Sequence, residues 1–213
     1  MGRAGETSEL ALRYPYRILF IRHGETDYNA ERRLQGQRDI PLNGKGREQA
    51  SSVGRTLAKL LRSELDRLEA AGAFRASPLL RVRETLERAR AAMGFEPTLY
   101  GLDDGLKELT FGDWEGFTWA EIEARDPSGA AARERDKWRF TPPHGESYAD
   151  LAERISFWLS QQGSDLFVAS HGGVARALMY LLGDIDENTA ANANIFQGRA
   201  LLFEPGRKFR WVG

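Results

Sequence analysis

Two segments with the same local pattern indicate the fold, namely Ile18-Leu19-Phe20-Ile21-Arg22-His23-Gly24 and Leu166-Phe167-Val168-Ala169-Ser170-His171-Gly172-Gly173. Each copy is a short, continuously apolar run of the kind that forms a buried parallel strand. In both copies a histidine follows the run, a glycine comes next, and a helical pattern begins further on. Ligands of open α/β sheets bind outside the carboxyl ends of the strands. We therefore predict that His23 and His171 are the two halves of one active site.

Length and patterning predict a single α/β domain. The 213 residues are enough for one sizeable hydrophobic core. Strand and helix patterns alternate over residues 16–213, which predicts one domain with a mostly parallel central sheet and helices on both of its faces. Residues 1–15 are expected to form a loose N-terminal tail.

Composition argues against several classes of function. A formal net charge of −1 provides no field that would favour nucleic acid or an anionic membrane. No apolar stretch is long enough to span a membrane, and the first residues lack the apolar core of a signal peptide. The chain contains no cysteine, which excludes disulfides, thiolate metal sites and a cysteine nucleophile. We expect a cytoplasmic protein without a nucleic-acid or membrane partner, and the oligomeric state is left open.

The spacing of apolar residues predicts the elements around the two histidines. A strand at 17–21 leads into a polar loop, and a helix then begins near Asn43 and ends at Gly72. The further predicted strands are 73–76, 98–100, 166–170, 200–203 and 208–212. The further predicted helices are 79–93, pieces of 118–138 broken at Asp126-Pro127, one that opens with a capping box at Ser147, and one from about 173 to 182.

Two arginines are predicted to share the edge of the sheet that carries the histidines. Arg22 adjoins His23, and Arg81 follows a strand at the start of the helix 79–93. Guanidinium groups suit phosphate because their planar fork binds two oxygens at once and stays charged. Helix N-termini beside them add backbone N–H donors. The sequence therefore predicts a small anion pocket, and phosphate is the small anion that a nucleophilic imidazole can attack.

An ordered set of motifs resembles the histidine phosphatase superfamily, which has the phosphoglycerate-mutase-like fold. The motifs occur in the order found in that family and span residues 16 to about 183. They are Arg22-His23-Gly24-Glu25-Thr26 with Asn29, Leu34-Gln35-Gly36, Asp39-Ile40-Pro41-Leu42, Gly46, Gln49-Ala50, Ser77-Pro78-Leu79 with Arg81 and Thr85, Glu108, Phe111-Gly112-Asp113-Trp114-Glu115-Gly116, Gly145-Glu146-Ser147, and Ser170-His171-Gly172-Gly173.

The resemblance implies a role for each matching residue. His23 is expected to be the nucleophile that forms a phosphohistidine. Glu108 is expected to be the general acid for the leaving oxygen and then the base for water, and His171 completes the catalytic set. The implied phosphate-binding residues are Arg22, Arg81, Asn29 and Gly172, with His171 beside them. Neither a metal ion nor a cofactor is implied, because the arginines and a histidine can supply the charge that phosphoryl transfer needs.

Three further residues are candidates for the substrate pocket. Gln35 belongs to the matching motifs. Glu25 is either a second carboxylate or a residue that orients its loop. His144 departs from the family, which usually has a small residue before the Gly-Glu-Ser triplet. It either reaches the substrate from a lid formed by residues 138–144 or is simply exposed.

The leading function prediction is a phosphomonoester hydrolase of the histidine acid phosphatase type that acts on a small phosphorylated metabolite. A phosphoglycerate mutase is the main alternative within the fold. Such mutases carry a longer, basic insert where this chain has residues 117–144, although Arg133, Arg135 and Arg139 lie in that segment. A fructose-bisphosphatase-like enzyme and a cobalamin-pathway nucleotide phosphatase stay open as further alternatives.

Two predictions from other classes fit the residues less well. A metalloenzyme could use His23, His144 and His171 as ligands, but Arg22 and Arg81 would repel the cation. A catalytically inactive module that senses a phosphate ligand would typically have lost the nucleophile or the acid, and this sequence retains a candidate for each.

Overall fold

The protein is built around a six-stranded mixed sheet. The structure is a computed structural model that describes residues 14–213. Of the predicted tail, residues 1–13 lie outside the described residues, while Tyr14 is buried against the core. The strands in chain order are β1 (Ile18–Arg22), β2 (Phe74–Ala76), β3 (Gly101–Leu102), β4 (Leu166–Ser170), β5 (Ala200–Phe203) and β6 (Arg210–Val212).

The order of strands across the sheet is β3-β2-β4-β1-β5-β6. The four strands from β3 to β1 are parallel, whereas β5 runs antiparallel to β1 and β6 antiparallel to β5. The central strands β1 and β4 are buried along almost their whole length, which is the reason for their unbroken apolar sequences. The predicted class, an α/β fold with a mostly parallel sheet flanked by helices, is confirmed.

Helices connect and cover the strands. In chain order they are α1 (Asp27–Ala30), α2 (Gly44–Leu60), α3 (Arg62–Ala70), α4 (Leu80–Met93), α5 (Trp119–Arg125), α6 (Pro127–Arg135), α7 (Tyr148–Ser160), α8 (Gly172–Leu182) and α9 (Glu187–Asn192). Helix α2 packs against α4, and α7 packs against α8. Within residues 14–213, the helices lack the combination of length and apolar character that crossing a membrane requires.

Local chemistry explains where several helices begin. Asn43 caps α2 by accepting a hydrogen bond from the N–H of Gly46 at 2.9 Å, and Ser147 opens α7 with a capping box. Asp126 separates α5 from α6, and Pro127 occupies the first turn of α6. These starts and breaks agree with the sequence predictions.

Other boundaries differ from the predictions. The helix predicted from Asn43 to Gly72 is two helices, because Leu61 leaves the helical region with φ −133° and ψ 31°. The apolar stripe continues across this break, so the pattern alone does not reveal it. The strand predicted at 98–100 lies at Gly101–Leu102, where it pairs with β2. Helix α1 lies in the segment that was predicted to be a polar loop, and α9 lies in a segment for which no element was predicted.

Candidate active site

The register of strands β1 and β4 places His23 and His171 side by side. β1 and β4 pair in parallel with Arg22 opposite Ser170, and the N–H of His23 donates to the carbonyl of Ser170 at 2.9 Å. The residue that follows each strand is therefore a histidine at the same edge of the sheet. The ring centroids of His23 and His171 are 5.3 Å apart, and both side chains are buried.

The imidazole of His23 is held by its own backbone. Nδ1 lies 2.7 Å from the carbonyl oxygen of Gly24, an acceptor, so Nδ1 carries the proton and Nε2 carries the free lone pair. The N–H of Gly24 in turn donates to Oγ1 of Thr85 at 3.0 Å. A Cβ atom at Gly24 would lie 2.3 Å from the carbonyl oxygen of Gly46. The glycine is needed because the backbones of the β1 turn and α2 approach closely at this point.

His171 is positioned from the neighbouring strand. Its Nε2 shares a hydrogen bond of 2.8 Å with Oγ of Ser77. Ser77 follows β2, and its N–H donates to the carbonyl of Ala169 at 3.2 Å. Three adjacent parallel strands therefore each contribute the residue just beyond their carboxyl end, namely Ser77, His171 and His23.

The two arginines are anchored by carbonyl groups. Arg22 donates through Nη1 to the carbonyl of Ile195 at 2.8 Å. Arg81 donates to the carbonyls of Arg38 and Gly36 at 2.7 and 2.8 Å. Among the described residues, Nε of each arginine and Nδ1 of His171 are buried and lack a hydrogen-bond partner. Buried nitrogens in this condition are rare in folded proteins and call for an explanation such as a functional site.

Burial and positive charge keep the two histidines neutral. Burial, followed by the charges of Arg81 and Arg22, holds the pKa of His23 well below its usual value. Burial, followed by Arg81 and His23, does the same to the pKa of His171. Burial lowers the pKa of Arg81 to about 10, so that guanidinium is still charged at neutral pH. The pocket therefore combines neutral imidazoles with cationic guanidinium groups.

Glu108 lies at the N-terminus of α8, against the same pocket. Its Oε2 accepts from the N–H of Gly173 at 3.1 Å, and its Oε1 accepts from its neighbour Leu109 at 3.1 Å. A Cβ atom at Gly173 would come within 2.2 Å of Oε1, so a glycine is required for this contact. Burial lowers the pKa of both Arg22 and Arg81, and the charge of Glu108 partly opposes this lowering, which locates the carboxylate beside the two arginines.

Asn29 and Gln35 lie in one hydrogen-bonded turn next to the pocket. Asn29 belongs to the capping box of α1, and its Oδ1 accepts from the N–H of Thr26 at 3.2 Å and from Nε2 of Gln197 at 3.0 Å. Oε1 of Gln35 accepts from Oγ1 of Thr26 at 2.9 Å. The next residue, Gly36, gives its carbonyl to Arg81, so this turn supports the arginine.

Glu25 and His144 are engaged elsewhere. The carboxylate of Glu25 binds Nζ of Lys45 at 2.7 Å and Nδ2 of Asn43 at 3.1 Å, which ties its loop to the start of α2. These contacts correspond to the loop-orienting role that the sequence offered. Nδ1 of His144 lies 3.1 Å from the carboxylate of Asp113, and the side chain is 85% exposed.

The three histidines do not assemble into one metal site. His144 is exposed and contacts Asp113, whereas His23 and His171 are buried together. In the part of the chain that the structure describes, no three histidine, aspartate or glutamate side chains are grouped so that they could hold a metal ion. The arrangement required by the metalloenzyme alternative is therefore not formed.

The sequence also matches a known family over most of its length. The match is to the histidine phosphatase superfamily (branch 1), and it covers residues 18–207. The chain belongs to the histidine phosphatase superfamily.

Similar proteins agree with this membership. A glucosyl-3-phosphoglycerate phosphatase of Mycolicibacterium vanbaalenii is 36% identical over an alignment of 180 residues, which covers 76% of this chain and 72% of that protein. The phosphoglycerate mutase-like protein 4 of Arabidopsis thaliana is 32% identical over 167 residues, 76% of this chain and 68% of that protein. Among solved structures, a mycobacterial glucosyl-3-phosphoglycerate phosphatase in complex with VO3 has a TM-score of 0.73 at 26% identity and covers 92% of this chain and 96% of its own.

The predicted family and enzyme class are thereby confirmed: the chain is a phosphatase, that is, a phosphoric monoester hydrolase.

Several residues around the site of this histidine phosphatase were not predicted from the sequence. Ser77 appeared only as part of a motif, although its place one residue beyond a predicted strand was a usable signal. Arg176 lies on α8, where its Nε donates to the carbonyl of Ala193 at 3.1 Å. The loop after α9 supports Arg22 through Ile195 and Asn29 through Gln197. This loop has no periodic pattern, so nothing in the sequence pointed to it.

Proposed function

We propose that this phosphatase hydrolyses a small, sugar-derived phosphoric monoester through a phosphohistidine on His23, without a metal ion or cofactor. The observation that carries the proposal is the 2.7 Å hydrogen bond between Nδ1 of His23 and the carbonyl of Gly24. It commits the ring to the tautomer in which Nε2 is unprotonated. A neutral, oriented imidazole with a free lone pair is the form that can attack phosphorus.

In the first chemical step, Nε2 of His23 attacks phosphorus, the N–P bond forms and the P–O bond to the alcohol breaks. Arg22, Arg81 and His171 hold the non-bridging phosphoryl oxygens, whose charge is spread in the transition state. The buried nitrogens of these residues that lack protein partners supply donors of the required kind. Asn29 and the N-terminus of α8 at Gly172 complete the proposed phosphate-binding set.

Glu108 moves the protons in both steps. In its protonated form it donates to the departing alkoxide, which is a poor leaving group without a proton. The resulting carboxylate then accepts a proton from the water that attacks the phosphohistidine. This attack breaks the N–P bond, releases inorganic phosphate and returns the proton to Glu108. The N–H donors of Gly173 and Leu109 orient the carboxylate between the steps.

The names of the relatives support a substrate class. Relatives at 36% identity are called glucosyl-3-phosphoglycerate phosphatases, so a phosphorylated sugar or sugar-acid metabolite is the substrate class that we propose.

We place the reaction in the cytoplasm, where such metabolites occur, with no nucleic-acid or membrane partner. A mutase reaction is the second candidate, and the resemblance to a phosphoglycerate mutase-like protein supports it. The short segment 117–144 favours the hydrolase over the mutase.

Trapping the intermediate tests the mechanism. The enzyme is mixed with substrate, quenched in alkali because phosphoramidates are labile in acid, and mapped by mass spectrometry. We expect a phosphate on His23 and none in a His23→Ala variant. A phosphate on a serine, threonine or aspartate would overturn the assignment. A parallel panel of phosphorylated metabolites, including glucosyl-3-phosphoglycerate, is scored for released phosphate beside a phosphoglycerate mutase assay.

A further inference from the structure

A second group of cations lies next to the phosphoryl pocket. It consists of Arg133, Lys137 and Arg176, whose charges act on one another, and Arg176 contacts the hydroxyl of Tyr148. We call it the Tyr148 cluster. We infer that the Tyr148 cluster is a second anion site that binds a carboxylate carried by the alcohol part of the substrate. The inference rests on the proposed function, because it assumes that a phosphoric monoester occupies the pocket beside it.

The cluster is continuous with the phosphoryl pocket through Gly172. A Cβ atom placed on Gly172 would lie 3.3 Å from Nη1 of Arg176 and 3.5 Å from Nε of Arg22. The two guanidinium groups therefore flank the same residue, one from α8 and one from the end of β1. Gly172 directly follows His171, so an anion bound by Arg176 would lie next to a phosphoryl group bound by Arg22.

Neutral groups hold the cations of the cluster in place. Arg176 donates through Nη1 to the hydroxyl of Tyr148 at 3.4 Å. The guanidinium of Arg133 stacks over the ring of Trp119 at 5.0 Å, and Nζ of Lys137 donates to Oδ1 of Asn192 at 3.0 Å. Because the Tyr148 hydroxyl accepts from Arg176, its own proton can be donated to an anion.

The positive charges of the cluster are poorly neutralised within the described residues. The carboxylate that pairs with the cluster is that of Glu134, which is 67% exposed and lies 3.9 Å from Arg133, a side chain that is only 14% exposed. Burial, followed by the charges of Arg133 and Arg176, lowers the pKa of Lys137 to about 8. Like charges held this close destabilise one another. A bound anion would relieve that repulsion, and a planar carboxylate matches the guanidinium fork.

Other arginines of the same segment are not available for this role. Arg139 pairs with the carboxylates of Glu187 and Asp136. Arg135 is exposed at the end of α6. Of the three arginines that the sequence analysis named in segment 117–144, only Arg133 therefore belongs to the cluster, and the structure adds Lys137 and Arg176.

Two substrates that differ mainly in the carboxylate provide the test. In 3-phosphoglycerate a carboxylate occupies the position of the terminal hydroxymethyl group of glycerol 3-phosphate. Released phosphate gives kcat/KM for each, and their ratio is the selectivity for the carboxylate. We expect Arg133→Gln to reduce this selectivity by about 10- to 100-fold, mainly through KM, since a hydrogen bond to a charged group is lost. Lys137→Gln should act in the same direction.

Arg135→Gln is the matched control, because it removes the same charge from the same helix outside the cluster. It should keep the selectivity of the wild type. Equal losses on both substrates in Arg133→Gln and Lys137→Gln would overturn the inference, as would an equal effect of Arg135→Gln. A larger effect of Arg133→Gln on fructose 1,6-bisphosphate than on 3-phosphoglycerate would overturn the carboxylate assignment in favour of a second phosphate.

Failure of the inference and failure of the proposed function give different results. If the proposed function is wrong, the wild type forms no phosphohistidine on His23. If only the inference is wrong, the phosphohistidine forms and the selectivity is insensitive to Arg133 and Lys137. Thermal unfolding of each variant identifies any that fails to fold, and the two independent substitutions keep the test decisive in that case.

Discussion

His23 and His171 leave adjacent parallel strands in register, and their ring centroids lie 5.3 Å apart. This relationship makes the site a single electrostatic unit, because each ring is buried and each lies near the same two arginines. Neither imidazole can readily accept a proton without placing a third positive charge in a pocket that already holds two. The consequences can be measured in stability as well as in catalysis.

The first prediction concerns stability in acid. The folded pKa values of both histidines lie well below the unfolded value of about 6.5. Below pH 6.5 the unfolded chain therefore binds protons that the folded chain does not, so stability is present above pH 6.5 and is lost as the pH falls towards the folded pKa values. Each histidine should contribute about 1.4 kcal/mol of loss per pH unit in this window.

Urea unfolding at pH 7.0 and pH 5.5 measures this loss. A double variant, His23→Asn with His171→Asn, should lose much less stability than the wild type over the same interval. An identical loss in both proteins would show that other groups cause it.

The second prediction concerns Ser77 as a positioning residue for His171. Ser77→Ala removes the 2.8 Å hydrogen bond to Nε2 of His171 and should lower kcat by roughly 3- to 10-fold. Ser77→Thr keeps the hydroxyl and should recover most of the activity. A double-mutant cycle with His171→Ala checks the route, since Ser77→Ala should have little further effect once the imidazole is gone. Fully additive losses would contradict a role exerted through His171.

The third prediction concerns Glu108 as general acid. Glu108→Gln should slow cleavage of an alkyl phosphate far more than cleavage of nitrophenyl phosphate, because a nitrophenolate leaves readily without a proton. A general acid typically increases the rate of such a step by a factor on the order of 10² to 10⁴. Single-turnover phosphorylation of His23 is the appropriate measurement, since dephosphorylation is common to both substrates. Equal slowing for both would mean that Glu108 only positions the phosphoryl group.

The fourth prediction concerns metal removal. Because guanidinium groups provide the positive charge, activity should be the same before and after dialysis against EDTA. Vanadate should inhibit, since it adopts the five-coordinate geometry of the phosphoryl group in transfer. Loss of activity on chelation, with recovery on addition of Zn²⁺ or Mg²⁺, would show that a cation takes part.

The fifth prediction concerns the pH dependence of substrate selectivity. Lys137 has a pKa of about 8, so its ammonium group is charged at pH 7 and mostly neutral at pH 9. Its surroundings are Arg133, Arg176, Glu134 and the amide of Asn192. The selectivity for 3-phosphoglycerate over glycerol 3-phosphate should therefore fall as the pH rises through 8. Lys137→Gln should show no such fall, and a fall of the same size in that variant would assign the effect to another group.

Local sequence was sufficient to predict the centre of this protein. The apolar runs that end at His23 and His171 predicted two buried parallel strands, because burial on both faces leaves no polar position to break the pattern. The positions of Arg22 and Arg81 beside strand ends predicted that they share the edge of the sheet with the histidines. The ordered motifs indicated the family. The starts of α2 and α7 were readable because a capping side chain acts within three residues of itself.

Tertiary structure decided what depends on partners distant in the chain. The break at Leu61 interrupts no apolar stripe, and β3 is a strand only through its pairing with β2. The anchors of the arginines are carbonyl groups of Ile195, Gly36 and Arg38, and every residue type has a carbonyl. The Tyr148 cluster joins α6, the loop after it, α7 and α8. Sequence determined which residues are candidates for the chemistry, whereas packing determined which of them share a charge environment. Electrostatic coupling depends on distance in space and not on distance along the chain.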